Sequence, residues 1–188
     1  MQFEKVRSAS ENLKGIIKET NLIHSKVFSK ESGNEVYIKP ENLQITGSFK
    51  IRGAYNKIHN LDTESKNKGL VAASAGNHAQ GVAFSAKELG VHACIVMPKS
   101  TPLIKVEATK SYGAEVILHG DCYDEAYEKA LELRDTKGYT FIHPFNDDEV
   151  IAGQGTVGLE ILEQLEDVDY IIVPVGGGGL IAGIAVAV

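Results

Sequence analysis

From Leu70 onward, short apolar runs alternate with amphipathic stretches. The runs are LVAAS (70–74), HACIVM (92–97), AEVIL (114–118), YTFI (139–142) and YIIVPV (170–175). Runs this short and apolar read as buried strands, and the stretches between them as helices. Three of those helices close on a glycine just before the next strand, at Gly90, Gly113 and Gly138. Glycine accepts the left-handed conformation that ends a helix. The separations of 23 and 25 residues are the period of an αβ unit. The alternation predicts an α/β fold: a three-layer αβα, doubly wound parallel sheet with right-handed crossovers. Ahead of it, Phe3, Val6, Leu13, Ile16 and Ile17 have the spacing of one helix face. Two β-like runs, His24–Phe28 and Glu35–Lys39, flank Ser32-Gly33-Asn34 and predict a hairpin.

Residues 170–188 carry no charge and are about long enough for a membrane span. Pro174 and the four glycines Gly176 to Gly179 interrupt them, which a spanning helix tolerates poorly. The stretch reads instead as a buried strand (Tyr170–Val175), a glycine loop and a buried helix from near Leu180, with no membrane partner.

Composition narrows the function classes. Of 188 residues 43% are hydrophobic and 23% charged, which excludes a disordered chain. The net charge of -6 and only three arginines (Arg7, Arg52, Arg134) argue against nucleic acid as a partner. Two cysteines, Cys94 and Cys122, are too few for a disulfide framework and fit a reducing compartment. The N-terminus lacks a secretory apolar core, so a cytoplasmic location is expected. His92-x-Cys94 and His119-x-x-Cys122 form no four-ligand pattern, and no metal is expected.

Three segments could carry chemistry. In such sheets ligands bind beyond the carboxyl ends of the strands. The loop Ser74-Ala75-Gly76-Asn77-His78-Ala79-Gln80-Gly81 follows the first apolar run. It is either a βα turn capped by Ser74 or Asn77, or an anion site at a helix N-terminus. Gly176–Gly179 follow the last run. A Walker A loop is excluded, since Ile184 rather than Lys follows Gly183. Gly177-x-Gly179-x-x-Ala182 nominally meets a dinucleotide fingerprint, which keeps a nicotinamide-dependent oxidoreductase in view. A plain phosphate cradle needs no more than the glycines, whose ordering entropy is otherwise unexplained. The third segment is Lys50, between Phe49 and Ile51 and just after Ser48, a candidate N-cap of a helix to about His59. It is either a solvated surface lysine or an amine whose ammonium is disfavoured by apolar neighbours and a helix N-terminus, fit for Schiff-base chemistry.

Together, Ser48-Phe49-Lys50-Ile51-Arg52-Gly53-Ala54, the Ser74–Gly81 loop and Gly176–Gly179 resemble the threonine/serine dehydratase (threonine ammonia-lyase) branch of the tryptophan-synthase-β-like, fold type II pyridoxal phosphate enzymes. Glu41-Asn42-Leu43-Gln44, His143-Pro144-Phe145 and Ile151-Ala152-Gly153-Gln154-Gly155-Thr156 fit the same family, and the resemblance spans essentially the whole chain. It implies pyridoxal 5'-phosphate as cofactor and β-elimination of L-threonine to 2-oxobutanoate and ammonia, with L-serine to pyruvate by the same route. It implies that Lys50 holds the cofactor and moves the substrate Cα proton, that Phe49 packs near the ring, and that Asn77 bonds its phenolic oxygen. Gly176, Gly177, Gly178 and Gly179, with Leu180, would cradle the phosphate. Ser74, Ala75, Gly76 and His78 would receive the substrate carboxylate. Similar serine racemases carry Ser at the position of Ala75 and Asn at that of Phe145, so elimination is expected over racemisation. The resemblance also implies amino-acid metabolism, isoleucine biosynthesis included, and a homo-oligomer at full length.

The same resemblance places residues 1–50 and 150–188 in a larger cofactor lobe, incomplete here, and 51–149 in a smaller αβα lobe. The family's partner for the cofactor's ring nitrogen lies on a later strand than any here. The chain alone is therefore expected to be a weak catalyst, or a cofactor-binding portion of a longer enzyme.

Overall fold

The computed structural model describes all 188 residues. Helix α1 (Phe3–Leu13) buries Val6, Ala9 and Leu13, one stripe of the expected face, while Phe3 stays exposed. The expected hairpin is only partly present. Strands β1 (Ile23–His24) and β2 (Tyr37–Ile38) pair antiparallel, Ile23 opposite Ile38, but a helix, α2 (Lys26–Ser32), fills the connection. The reason is local. Ser25 Oγ accepts the Phe28 N–H at 3.3 Å and caps the helix, and Gly33 ends it at φ +72°.

A short 3₁₀ turn at Glu41–Leu43 leads to α3 (Lys50–His59) and α4 (Thr63–Lys68), which Asp62 caps. The αβ alternation then runs as β3 (Leu70–Ala73), α5 (Asn77–Glu88), β4 (Ala93–Met97), α6 (Leu103–Lys110), β5 (Glu115–Leu118), α7 (Tyr123–Lys137) and β6 (Thr140–Phe141). Gly90, Gly113 and Gly138 hold the positive φ expected of helix ends. The four strands are parallel in the order β5-β4-β3-β6. Leu70 and Ala72 face a core shared with α3, α5 and α6, whereas Val71 and Ala73 face one shared with α7. Helices thus cover both faces, giving the three-layer αβα sheet. The chain leaves β3 toward β4 and β5 and returns to β3's other side at β6. The switch point therefore lies between β3 and β6, where open α/β sheets bind ligands.

Helix α8 (Asp148–Gln164) packs against α1, α3 and α9 (Gly179–Ala187). Glycine makes the approach possible. A Cβ on Gly153 would lie 2.5 Å from the Arg52 carbonyl oxygen, and one on Gly155 2.7 Å from that of Gly183. Tyr170–Val175 is not a strand. Ile171 and Val173 pack on the Val157, Ile161, Ile184 cluster, while Tyr170 and Ile172 are 90% and 95% exposed. The run is half-packed, and no strand pairs with it. No helix is long and apolar enough to cross a membrane.

Candidate active site

Lys50 opens α3. The helix starts one residue later than expected, with Phe49 at the cap position, but Ser48 Oγ still accepts the Lys50 N–H at 3.4 Å. The Lys50 amine is half-buried and donates to the Pro144 carbonyl at 2.7 Å. It stands 5.4 Å from the centre of the Phe49 ring. Burial holds its pKa below the usual lysine value. Gly81 sets how near α5 comes, since a Cβ there would sit 3.1 Å from the Lys50 carbonyl carbon. Gly81 and Pro144 are functional neighbours that sequence reasoning quoted only as parts of motifs.

The loop after β3 lies at the switch point. Neither expected cap forms on α5. Ser74 Oγ accepts the Gly76 N–H at 3.2 Å within its own loop, and Asn77 is the helix's exposed first residue. The amides of the first turn are thus open to an anion. Ala75 and Gly76 are half-buried there. His78 departs from expectation. Its side chain is buried, and Nε2 pairs with the Ile142 carbonyl at 2.9 Å. A carbonyl only accepts, so Nε2 carries the proton. Nδ1 has no partner. Burial, opposed by the Ile142 bond and aided by the charges of Lys50 and His143, lowers the His78 pKa to about 4. The ring is a neutral group facing β6. Burial also lowers the pKa of His143, with Asp147 opposing and Lys50 adding to the fall.

Gly176–Gly179 arrive beside the same place. Gly178 sits at φ +82° and starts α9 without a side-chain cap. The Phe145 ring occupies the space that a Cβ on Gly177 would need, and a Cβ on Gly179 would be 3.0 Å from the Phe145 carbonyl oxygen. Leu180 joins Phe49 in the apolar cluster around Ile184. Because the residues before the loop form no strand, the strand–turn–helix context of a dinucleotide fingerprint is missing.

Behind Lys50, a buried polar network that sequence reasoning missed anchors α3. The Arg52 guanidinium, fully buried, donates to Glu41 at 2.9 and 2.8 Å, to Glu160 at 2.5 and 2.9 Å, and to Thr156 Oγ1 at 3.1 Å. Lys39 adds a second cation 2.6 Å from Glu160. Burial opposes the charge on Arg52, but its two carboxylates outweigh that and raise its pKa. Burial would raise the Glu160 pKa, yet Arg52 and Lys39 bring it below the usual value. Only the rarity of arginine hinted at this role.

Two clefts lie away from Lys50, one of about 510 Å³ between α1 and α8 and one of about 310 Å³ at the foot of α5. No cluster of three or more His, Cys, Asp or Glu side chains could hold a metal. What surrounds Lys50 fits a phosphate-bearing carbonyl cofactor: an amine with depressed basicity, two uncapped helix N-termini, and a glycine loop in which Phe145 fills the Cβ space of Gly177 and Gly179.

Comparison with known proteins agrees. Residues 13–188 match the family described as "Pyridoxal-phosphate dependent enzyme". The L-threonine ammonia-lyase of Thermotoga maritima is 56% identical over 186 residues, covering 99% of this chain and 46% of the relative. Processed threonine deaminase isoform 2 from Solanum lycopersicum superposes with a TM-score of 0.94 at 45% identity, covering 98% of this chain and 51% of that one. Maize serine racemase superposes at 0.95 with 40% identity, covering 99% and 56%. The chain spans about half the length of the curated relatives it matches.

Proposed function

The chain belongs to the pyridoxal-phosphate-dependent enzymes, and from that premise we propose that it carries the catalytic lysine of a threonine ammonia-lyase, forming 2-oxobutanoate and ammonia from L-threonine and pyruvate from L-serine. The observation that carries this reading is the Lys50 amine, half-buried, 2.7 Å from the Pro144 carbonyl and of lowered basicity. When bound, the cofactor would supply an electron sink for charge developing at Cα. Lys50 would hold it, and the Lys50 amine would take the Cα proton. A lowered pKa keeps more of that amine uncharged near neutral pH, as a base requires. The α5 amides behind Ser74, Ala75 and Gly76 receive the substrate carboxylate, and Asn77, exposed at the mouth, bonds the cofactor's phenolic oxygen. The backbone of Gly176–Gly179 and Leu180, at the positive end of α9, holds the phosphate. Phe49 walls the ring.

Residues 51–149 constitute the smaller lobe in this reading, and 1–50 with 150–188 contribute to the larger. The remaining elements are a cytoplasmic setting, a homo-oligomeric full-length protein and no nucleic acid partner. Relatives 52% and 54% identical are named catabolic L-threonine dehydratases, which gives isoleucine formation no support. The test is to add pyridoxal phosphate, reduce with borohydride and map the modified peptide. Label at Lys50 is expected, and label at another lysine instead would sink the assignment.

Likeness to serine racemase favours a second reading, racemisation. Two features oppose it: Ala75 has no proton to deliver to the opposite face of Cα, and Phe145 is committed to packing the glycine loop. Rapid formation of D-serine from L-serine by the full-length protein would overturn the preference for elimination.

A further inference from the structure

Four residues between β6 and α8, Ile142 to Phe145, touch each part of the site. The Ile142 carbonyl accepts from His78 Nε2 at 2.9 Å, and the Pro144 carbonyl accepts from Lys50 at 2.7 Å. The Phe145 ring and main chain lie against Gly177 and Gly179. The strap is braced from within. His143 Nδ1 accepts the N–H groups of Phe145 at 3.2 Å and Asn146 at 2.8 Å, and its ring stands edge-on to Phe145 with centroids 4.7 Å apart. Downstream, Asp147 caps α8 and pairs with Lys57 at 2.7 Å. Upstream, the Ile142 N–H bonds Val71 at 2.9 Å, the last rung on β3. Between those ends only two hydrogen bonds join the strap to other elements, those from His78 and Lys50.

We propose that His78 is a positioning residue whose side chain acts on Lys50 and the glycine loop through this strap and not on the substrate. The proposal rests on Lys50 being the cofactor-holding amine. The geometry leaves the His78 side chain nothing to offer a carboxylate, which only the main-chain N–H of this residue, in the open first turn of α5, could meet. Its one proton is on Nε2, given to Ile142, and Nδ1 is buried without a partner. A substrate carboxylate at this end of β3 meets the α5 main chain instead. What the His78 bond does is hold the Ile142 carbonyl, and with it the turn that places the Pro144 carbonyl under the lysine. One side chain of the carboxylate loop thereby sets where the amine rests, and Phe145 carries the same constraint to the phosphate cradle.

Two near-isosteric variants isolate that one donor. In His78→Gln the amide nitrogen falls where Nε2 was. In His78→Asn it falls where Nδ1 was, short of Ile142. The measurement is the rate at which Lys50 of the full-length, cofactor-stripped protein reacts with acetic anhydride, read by peptide mass spectrometry against the exposed Lys30. The limiting rate at alkaline pH is the one compared, because the amine is uncharged there in every variant. H78N should raise it about tenfold, equivalent to about 1.4 kcal/mol, and H78Q should keep the native rate. Equal rates in the two variants overturn the proposal. Should H78N fail to fold, H78Q decides: a folded H78Q at the native rate supports it, whereas a freed lysine or an unfolded chain refutes it. The assay contains no cofactor, so it is separate from borohydride mapping. Label on another lysine there would remove the function while these rates still reported the position of Lys50.

Discussion

Arg52→Met tests whether α3, and so Lys50, is held by the buried ionic network. The native site contains two carboxylates and two cations, Glu41 and Glu160 against Arg52 and Lys39. The five Arg52 hydrogen bonds cannot be summed at 1.5–3 kcal/mol each, because burying the charges has already cost a comparable amount. What the variant changes is the balance. Methionine fills the volume but leaves two buried carboxylates facing one lysine that reaches only Glu160. Removing one partner of a buried pair costs about 3–5 kcal/mol, and that is the loss expected near neutral pH. The loss should shrink in acid. Glu160 has a lowered pKa in the folded protein, so it contributes stability above its unfolded value near 4.5 and loses it as pH falls through the lower folded value. Without Arg52, burial is left with only Lys39 to oppose it, and the protonated carboxyl becomes the tolerated form. Urea unfolding followed by circular dichroism at about pH 7 and about pH 4 measures both terms. A loss under about 1 kcal/mol at pH 7, or a gap that does not narrow in acid, would refute the reasoning.

Three further outcomes are expected. Gly155→Ala should destabilise by about 1–3 kcal/mol in the same unfolding assay, since its Cβ would lie 2.7 Å from the Gly183 oxygen and force α8 from α9. Gly177→Ala should weaken pyridoxal phosphate binding about tenfold by spectrophotometric titration, and adding Phe145→Ala should recover part of that, because the Phe145 ring occupies the Cβ space. The rate of pyridoxal phosphate capture by Lys50 should reach its plateau at lower pH than for a lysine at the ordinary 10.5, as burial lowers its pKa; a midpoint at or above that value would contradict the burial argument.

The parallel strands were readable because burial on both faces leaves a continuous apolar run, as in β4, and their helix ends because only glycine sits easily at positive φ. Apolar character records that a segment is buried but not what it pairs with. Tyr170–Val175 therefore looked like a strand, although it only leans on Ile161 and Ile184. Ser32-Gly33-Asn34 was equally compatible with a hairpin turn and with the end of the short helix α2, because both use a glycine at positive φ, whereas Ser25, read as part of a strand, caps that helix.

The direction of the His78 ring lay further from reach, and the reason is topological. The sequence places His78 in a loop with the residue types of an anion site, and a carboxylate ligand is the local inference. Where the ring goes depends on what fills the other side of β3, and that neighbour is β6, which arrives 64 residues later from the opposite flank of the sheet. The same non-local step joins Arg52 to Glu160, 108 residues away, and Lys50 to Pro144, 94 away. Local motifs thus identify which residues carry the chemistry. The switch point between β3 and β6 decides which face the reacting amine and which only hold it in place.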